Sequence, residues 1–220
     1  MIRRWRRWSK IIYNDVVAIS HNRRLFREAS QMFQENPALR EADVTVWDWL
    51  ATNYSITAAL AVRRQSDYSD RKPVTSLCTL LTEIARNPRL FTREWFVRPY
   101  TRGRPPMARA DFRQRGERDF DAYASPGARW ISSRKVREDL RQLRRTEARL
   151  RHFVNKRVAH RARRGYRGPA TFADLDGALD ELGRLLAKYW FLLNRGAAMI
   201  QIEPVIQGDY QAVYRVPWKA

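Results

Sequence analysis

The chain has 220 residues, 44% of them hydrophobic, with eight Trp, nine Tyr and nine Phe, which excludes a wholly disordered protein and allows one sizeable core. Lys and Arg outnumber Asp and Glu by 43 to 23, a formal charge of +20, with an isoelectric point near 11.1. A polyanion is therefore the leading class of partner, because basic side chains that neutralise phosphates release counterions on binding. The lone cysteine, Cys78, excludes an intrachain disulfide and thiolate metal clusters, and reads as a small buried hydrophobe in a reducing compartment. No stretch approaches the ~18 uninterrupted apolar residues of a transmembrane segment, so the expected location is the cytoplasm.

Residues 1–12, MIRRWRRWSKII, read as a basic aromatic N-terminal arm able to touch nucleic acid or another subunit, ahead of the alternative that Trp5 and Trp8 lay it on an anionic membrane surface. From 13 to 35, Val16, Val17, Ile19, Leu25, Phe26, Ala29, Met32 and Phe33 recur at helical spacing until Asn36-Pro37 stops them. Asp43 can cap a second helix, whose apolar face runs from Val46 and Trp47 to Val62 and which ends in Arg63-Arg64-Gln65-Ser66-Asp67. A polar linker, YSDRK, leads to Pro73 at the start of a third helix carrying Leu77, Leu80, Leu81 and Ile84. The spacing breaks from Leu90 to Trp130, where a short helix around Thr92 to Val97 gives way, over 99–130, to a basic loop insertion rich in Arg, Pro and Gly. Within it Arg residues alternate with Tyr100 and Phe112, a pattern suited to stacking on the bases of a strand and equally to a solvated loop.

A long amphipathic helix follows from Ser133 to Arg164, capped by Ser132 or Ser133, with Val136, Leu140, Leu143, Leu150, Val154 and Val158 on one line. Between Arg134 and Arg164 thirteen Lys or Arg stand against three acids, a formal +10 and half the excess of the whole chain. Arg134, Arg141, Arg145, Arg149, His152, Lys156 and Arg163 project away from the apolar line, with His160 close to them. Thr171 caps a last helix through Leu175, Leu179, Leu182, Leu186 and Tyr189, closed by Gly196. The tail, 197–220, alternates around a Gly208-Asp209 turn as a short β-hairpin or an extended segment. The expected fold is all-α, an up-and-down helical bundle over 13–196 with a basic loop insertion and this tail.

The chemistry open to such a chain is limited. Its three histidines form no zinc-binding spacing and no glycine-rich phosphate loop precedes a helix, so neither a metal nor a cofactor is expected. His, Arg, Asn and Lys remain, a set suited to phosphoryl chemistry on RNA: His as acid or base near neutrality, Arg as a bidentate phosphate contact, Asn to orient either.

The segment Asn155-Lys156-Arg157-Val158-Ala159-His160 resembles the motif of the HEPN superfamily, Arg followed four to six residues later by His, often as Arg-Asn-Lys-x-x-Ala-His. AVRRQSDYSD at the end of the second helix and PVTSLCTLLTEIARNP in the third are similar to the abortive-infection AbiU-type branch. The resemblance implies a dimer whose two motifs face one cleft, acting as a metal-independent RNase in phage defence or as a toxin with a neutralising partner protein. It places His160, Asn155 and Arg157 in catalysis and Arg151, Lys156, Arg161, Arg149, Arg63, Arg64 and Asp67 along the substrate, RNA or else DNA. One position departs: Val154 stands where the motif has its Arg. Either Arg157 or Arg151 takes over the phosphate contact, or the site binds nucleic acid without cutting it. For Arg63, Arg64 and Asp67 a structural ion-pair network is the competing reading, and for His160 a helix C-terminal cap.

Overall fold

A stretch without proline or glycine can run as one uninterrupted helix, and Ile2–Glu35 does so as α1, about 50 Å long at 1.5 Å per residue. Its buried face, Trp5, Ser9, Ile12, Val16, Ile19, Ser20 and Arg23, repeats every three or four residues, and both serines satisfy themselves on backbone carbonyls of the preceding turn. The computed structural model describes residues 1–41, 45–69, 74–153, 171–196, 200–202 and 212; among these there are eight α-helices and no strand. After α1 come α2 (Pro37–Glu41), α3 (Thr45–Ser66), α4 (Leu77–Arg86), a 3-10 turn (Pro88–Leu90), α5 (Arg93–Thr101), α6 (Pro106–Asp121), α7 (Ser133–Phe153) and α8 (Phe172–Leu193).

The long helices make the bundle. α1 runs antiparallel to α8, with Arg6 donating to the Leu193 carbonyl at one end and Arg23 to the Asp176 carbonyl and to Asp180 at the other. It runs antiparallel to α3 as well, through Gln65 on Asp15 and the Phe33–Trp47 stack. α4 lies antiparallel to α7, tied where Ser133 donates to the Ala85 carbonyl and where Arg144 reaches Cys78. Val136, Leu140, Leu143 and Leu150 of α7 are all buried, as the apolar line predicts. Thr171 caps α8 in a reciprocal capping box with Asp174, and Gly196, at φ +70, follows its end.

Three expectations change. The N-terminal segment is no arm: residues 2–12 are the first turns of α1, Trp5 is fully buried and stacked on Phe91, and its indole donates to Glu83. The start of the third helix is set by Ser76, whose hydroxyl accepts from Thr79 N–H, and not by Pro73. The basic insertion is largely helical, since α6 occupies Pro106–Asp121 and pairs with α5. Arg93 organises that pair by donating to the carbonyls of Glu117, Ser125 and Ala128 and to Asp121, while its guanidinium covers the Phe120 ring. The expected hairpin lies outside the described residues except for positions 200–202 and 212.

Candidate nucleic-acid interface

α7 carries the charge expected of it. Away from the buried line, Arg134, Arg137, Arg141 and Arg145 are exposed, with Arg144 at its flank, and the acids among them are few: Glu138 pairs with Arg141, and Asp139 turns inward. Asp139 was not singled out in the sequence, where a carboxylate beside a leucine looks like surface. It accepts from Lys188 Nζ at 2.6 Å and from the Tyr189 hydroxyl at 2.7 Å, so one buried carboxylate fixes the basic helix to α8. Burial and this carboxylate together push the Tyr189 phenol well above its ordinary value.

Arg149 and Arg151 belong to the last two turns of α7. Asn155, Lys156, Arg157, His160 and Arg161, with Val154, lie outside the described residues.

Arg63, Arg64 and Asp67 come together at the end of α3, where with Asp15, Asn22 and Thr57 they border a cleft of about 540 Å³. Arg64 pairs with Asp15 at 3.2 Å, and the same carboxylate accepts from buried Gln65 at 2.9 Å. Gln65 in turn accepts from the Leu77 N–H, and the Ser76 hydroxyl donates to the Asp67 carbonyl. The helix end thus holds α1, α3 and α4 in register, which supports the structural ion-pair reading for Arg64 and uses Asp67 through its backbone.

A larger hollow, about 730 Å³, opens between α5, α6 and the end of α8. Tyr100, Phe112, Tyr123 and Phe191 give it aromatic walls, and Arg104, Arg115, Lys188 and Arg195 line it with cations. The Tyr100 ring is seated by two glycines. A Cβ on Gly116 would stand 3.0 Å from its Cγ, and one on Gly196 would stand 2.0 Å from its hydroxyl oxygen. That hydroxyl donates to Asp119 Oδ2 at 2.7 Å, and burial raises its phenol pKa. The Arg104 guanidinium lies 4.1 Å from the Phe112 ring centre, a flat cation–aromatic platform. Arg195 takes a left-handed φ of 57 beyond α8, where the N–H groups of Arg195 and Gly196 donate to the carbonyls of Leu192 and Phe191. Tyr100 and Phe112 carried this signal in the sequence; the contributions of Lys188 and Arg195, from the far end of α8, did not.

Among the described residues no group of three or more His, Cys, Asp or Glu is arranged to hold a metal ion. None of their helices is long and apolar enough to cross a membrane.

A basic helix mounted by its apolar line in an antiparallel helical bundle defines the class: an all-α protein with a polycationic face. The chain belongs to the HEPN_AbiU2 family, described as AbiU2, whose model matches residues 4–210, and this makes it a HEPN-type protein of the abortive-infection class. Comparison with curated proteins and with solved structures gives no match.

Proposed function

We propose that the protein is a metal-independent RNA endonuclease of phage defence, acting at a dimeric HEPN site built on His160. The observation that carries this reading is the family match across residues 4–210, together with Asn155, Lys156, Ala159 and His160 in the order of the superfamily motif, downstream of a basic helix. In the proposed reaction His160 takes the proton of a ribose 2′-hydroxyl. The 2′-oxygen attacks the adjacent phosphorus, Arg157 or Arg151 holds the charge of the phosphorane, and the 5′-oxygen leaves with a proton returned by an acid, giving a 2′,3′-cyclic phosphate and a 5′-hydroxyl. Asn155 orients the imidazole or the substrate. Lys156, Arg161, Arg149 and the exposed arginines of α7 draw the strand in, and a neutralising partner protein holds the activity in check.

A second reading is favoured by one residue. Val154 replaces the motif's Arg, so the same surface serves a non-catalytic nucleic-acid-binding or assembly subunit. Purified protein incubated with total RNA in EDTA separates the two. Cleavage that falls roughly 10²–10⁴-fold in His160→Ala, the range for loss of a positioned acid or base, supports the endonuclease. Equal cleavage by wild type and His160→Ala removes His160 from catalysis; binding without cleavage by either establishes the second reading. Val154→Arg is the companion variant, expected to raise cleavage if the missing guanidinium limits it.

A further inference from the structure

We propose that the pole of the bundle where α1 begins is a docking surface for an anionic lipid bilayer, resting among the headgroups without crossing them. Packing fixes the place. Trp5 of α1 stacks on Phe91 with ring centres 5.6 Å apart, the Phe91 carbonyl accepts from the Ile131 N–H, and the Arg93 N–H donates to the Arg129 carbonyl. The first turns of α1, the 3-10 turn Pro88–Leu90 and residues 129–131 therefore meet at one end of the molecule. Trp5 and Phe91 are buried in that contact, and the outermost apolar side chains of the three segments are left in water: Met1 is 62% exposed, Leu90 41% and Trp130 40%. Arg3, Arg7, Arg89 and Arg129, all exposed, stand around them.

Charge decides the class of partner. No acid precedes Asp15, and none occurs between Glu83 and Glu94 or between Asp121 and Glu138. The acids that border the pole are already engaged, Glu83 by Arg4 and the Trp5 indole, Asp121 by Arg93 and Glu94 by Arg113. Among the described residues no carboxylate pairs with Arg3, Arg7, Arg89 or Arg129. A polyanion in solution would satisfy these cations, but it would leave Met1 and Leu90 in water and find Trp130 occupied. The guanidinium groups of Arg89 and Arg129 lie 5.6 and 5.4 Å from the Trp130 ring centre, where a base would otherwise stack. Arg4 lies over Trp8 and Arg195 over Trp95 in the same manner. A guanidinium set against an indole suits the boundary between headgroups and acyl chains, because the ring replaces part of its hydration while its N–H groups still reach lipid phosphate. The apolar tips enter that boundary, and each cation held near an anionic surface adds roughly fivefold to the affinity.

The sequence offers Trp5 and Trp8 as anchors; the structure turns Trp5 inward and puts Met1, Leu90 and Trp130 at the surface. Nothing in this arrangement depends on cleavage at His160. The experiment is co-sedimentation of the full chain, at physiological salt, with vesicles of phosphatidylcholine alone or mixed with phosphatidylglycerol. Binding to the mixed vesicles is expected to be at least tenfold tighter. Arg3→Glu with Arg7→Glu, which alters two exposed side chains and should leave the melting temperature unchanged, is expected to weaken it at least tenfold, and Leu90→Ser with Trp130→Ser to do the same without any change of charge. Arg102→Glu with Arg109→Glu, the same charge reversal on exposed arginines beyond α5 and on α6, should stay within twofold of wild type. Equal binding to both vesicles overturns the proposal, and so does an equal loss in the Arg102 and Arg109 variant, which would reduce the effect to net charge. Binding of a labelled 2′-O-methyl RNA 12-mer, which cannot be cut through its 2′-oxygen, is measured on the same proteins and should be unaffected by Leu90→Ser with Trp130→Ser. If the variants at this pole lose RNA and keep the vesicles, the pole is a nucleic-acid surface and the proposal fails.

Discussion

Asp139 shows how much one side chain can carry. Its carboxylate is buried, yet it satisfies Lys188 and the Tyr189 hydroxyl at once, so Asp139→Ala strands two polar groups between α7 and α8. Leaving buried donors unpaired costs about 1–3 kcal/mol, and at ~2–4 °C per kcal/mol for a chain of this size the melting temperature should fall by roughly 2–12 °C. Asp139→Asn, which keeps an acceptor for the phenol, should cost less; equal melting curves for wild type and Asp139→Ala in calorimetry would contradict this account. Tyr54, Tyr100, Tyr123 and Tyr189 add a pH dependence. All four phenols are raised, in each case first by burial, with bonds to Asp176, Asp119 and Asp139 contributing at Tyr54, Tyr100 and Tyr189. The folded state therefore keeps protons that the unfolded chain gives up above about pH 10. Their contribution is complete below that pH and is lost as pH rises through the higher folded values. Urea unfolding at pH 9 and pH 11 should show the midpoint falling, and absorbance at 295 nm should show a group of tyrosines ionising only as the fold is lost.

At the scale of the element, α1 and α6 are the two places where pattern and structure part. Trp5→Ala removes a fully buried indole from between α1, Phe91 and Glu83, and should destabilise by about 3–5 kcal/mol; thermal unfolding of this variant near the wild-type temperature would return residues 1–12 to the status of an arm. The long apolar lines of α3, α7 and α8 were legible because hydrophobic burial writes a period into the sequence. The beginning of α1 was not, because seven of its first ten residues are Arg, Lys or Trp and its buried face includes serine. α6 was hidden for a related reason: it buries only Gly116 and Phe120, and a glycine that lets Tyr100 approach looks in sequence like a helix breaker. The electrostatic ties followed the same logic. Arg64 and Asp67 were visible as a charged helix end, but Gln65, which holds three helices, carries no charge to attract notice.

For the whole molecule, the excess charge of +20 sets a prediction that does not depend on chemistry at any site. Anisotropy titrations of labelled RNA between 50 and 200 mM salt should give a steep log–log line, since each neutralised phosphate contributes a slope of about −0.7 to −0.9; a flat line would exclude phosphate contacts as the basis of binding. The proposed composite site requires two copies, so light scattering at micromolar concentration should report a dimer, alone or on adding RNA. The antiparallel docking of α1 on α8 has another consequence, for synthesis. The carbonyl that Arg6 needs belongs to Leu193, 187 residues downstream, and Arg23 waits for Asp176 and Asp180. While the ribosome is still making the middle of the protein, the first helix can pack on α3 and on Phe91 but has no partner for that flank, which stays open to solvent and to chaperones. Stalled nascent chains ending before residue 171 should accordingly be cut by protease within α1, and chains released after Gly196 should be resistant there. Full cover of α1 arrives late, with α8, which leaves the cell a long interval in which the first helix of the protein is made but only partly packed.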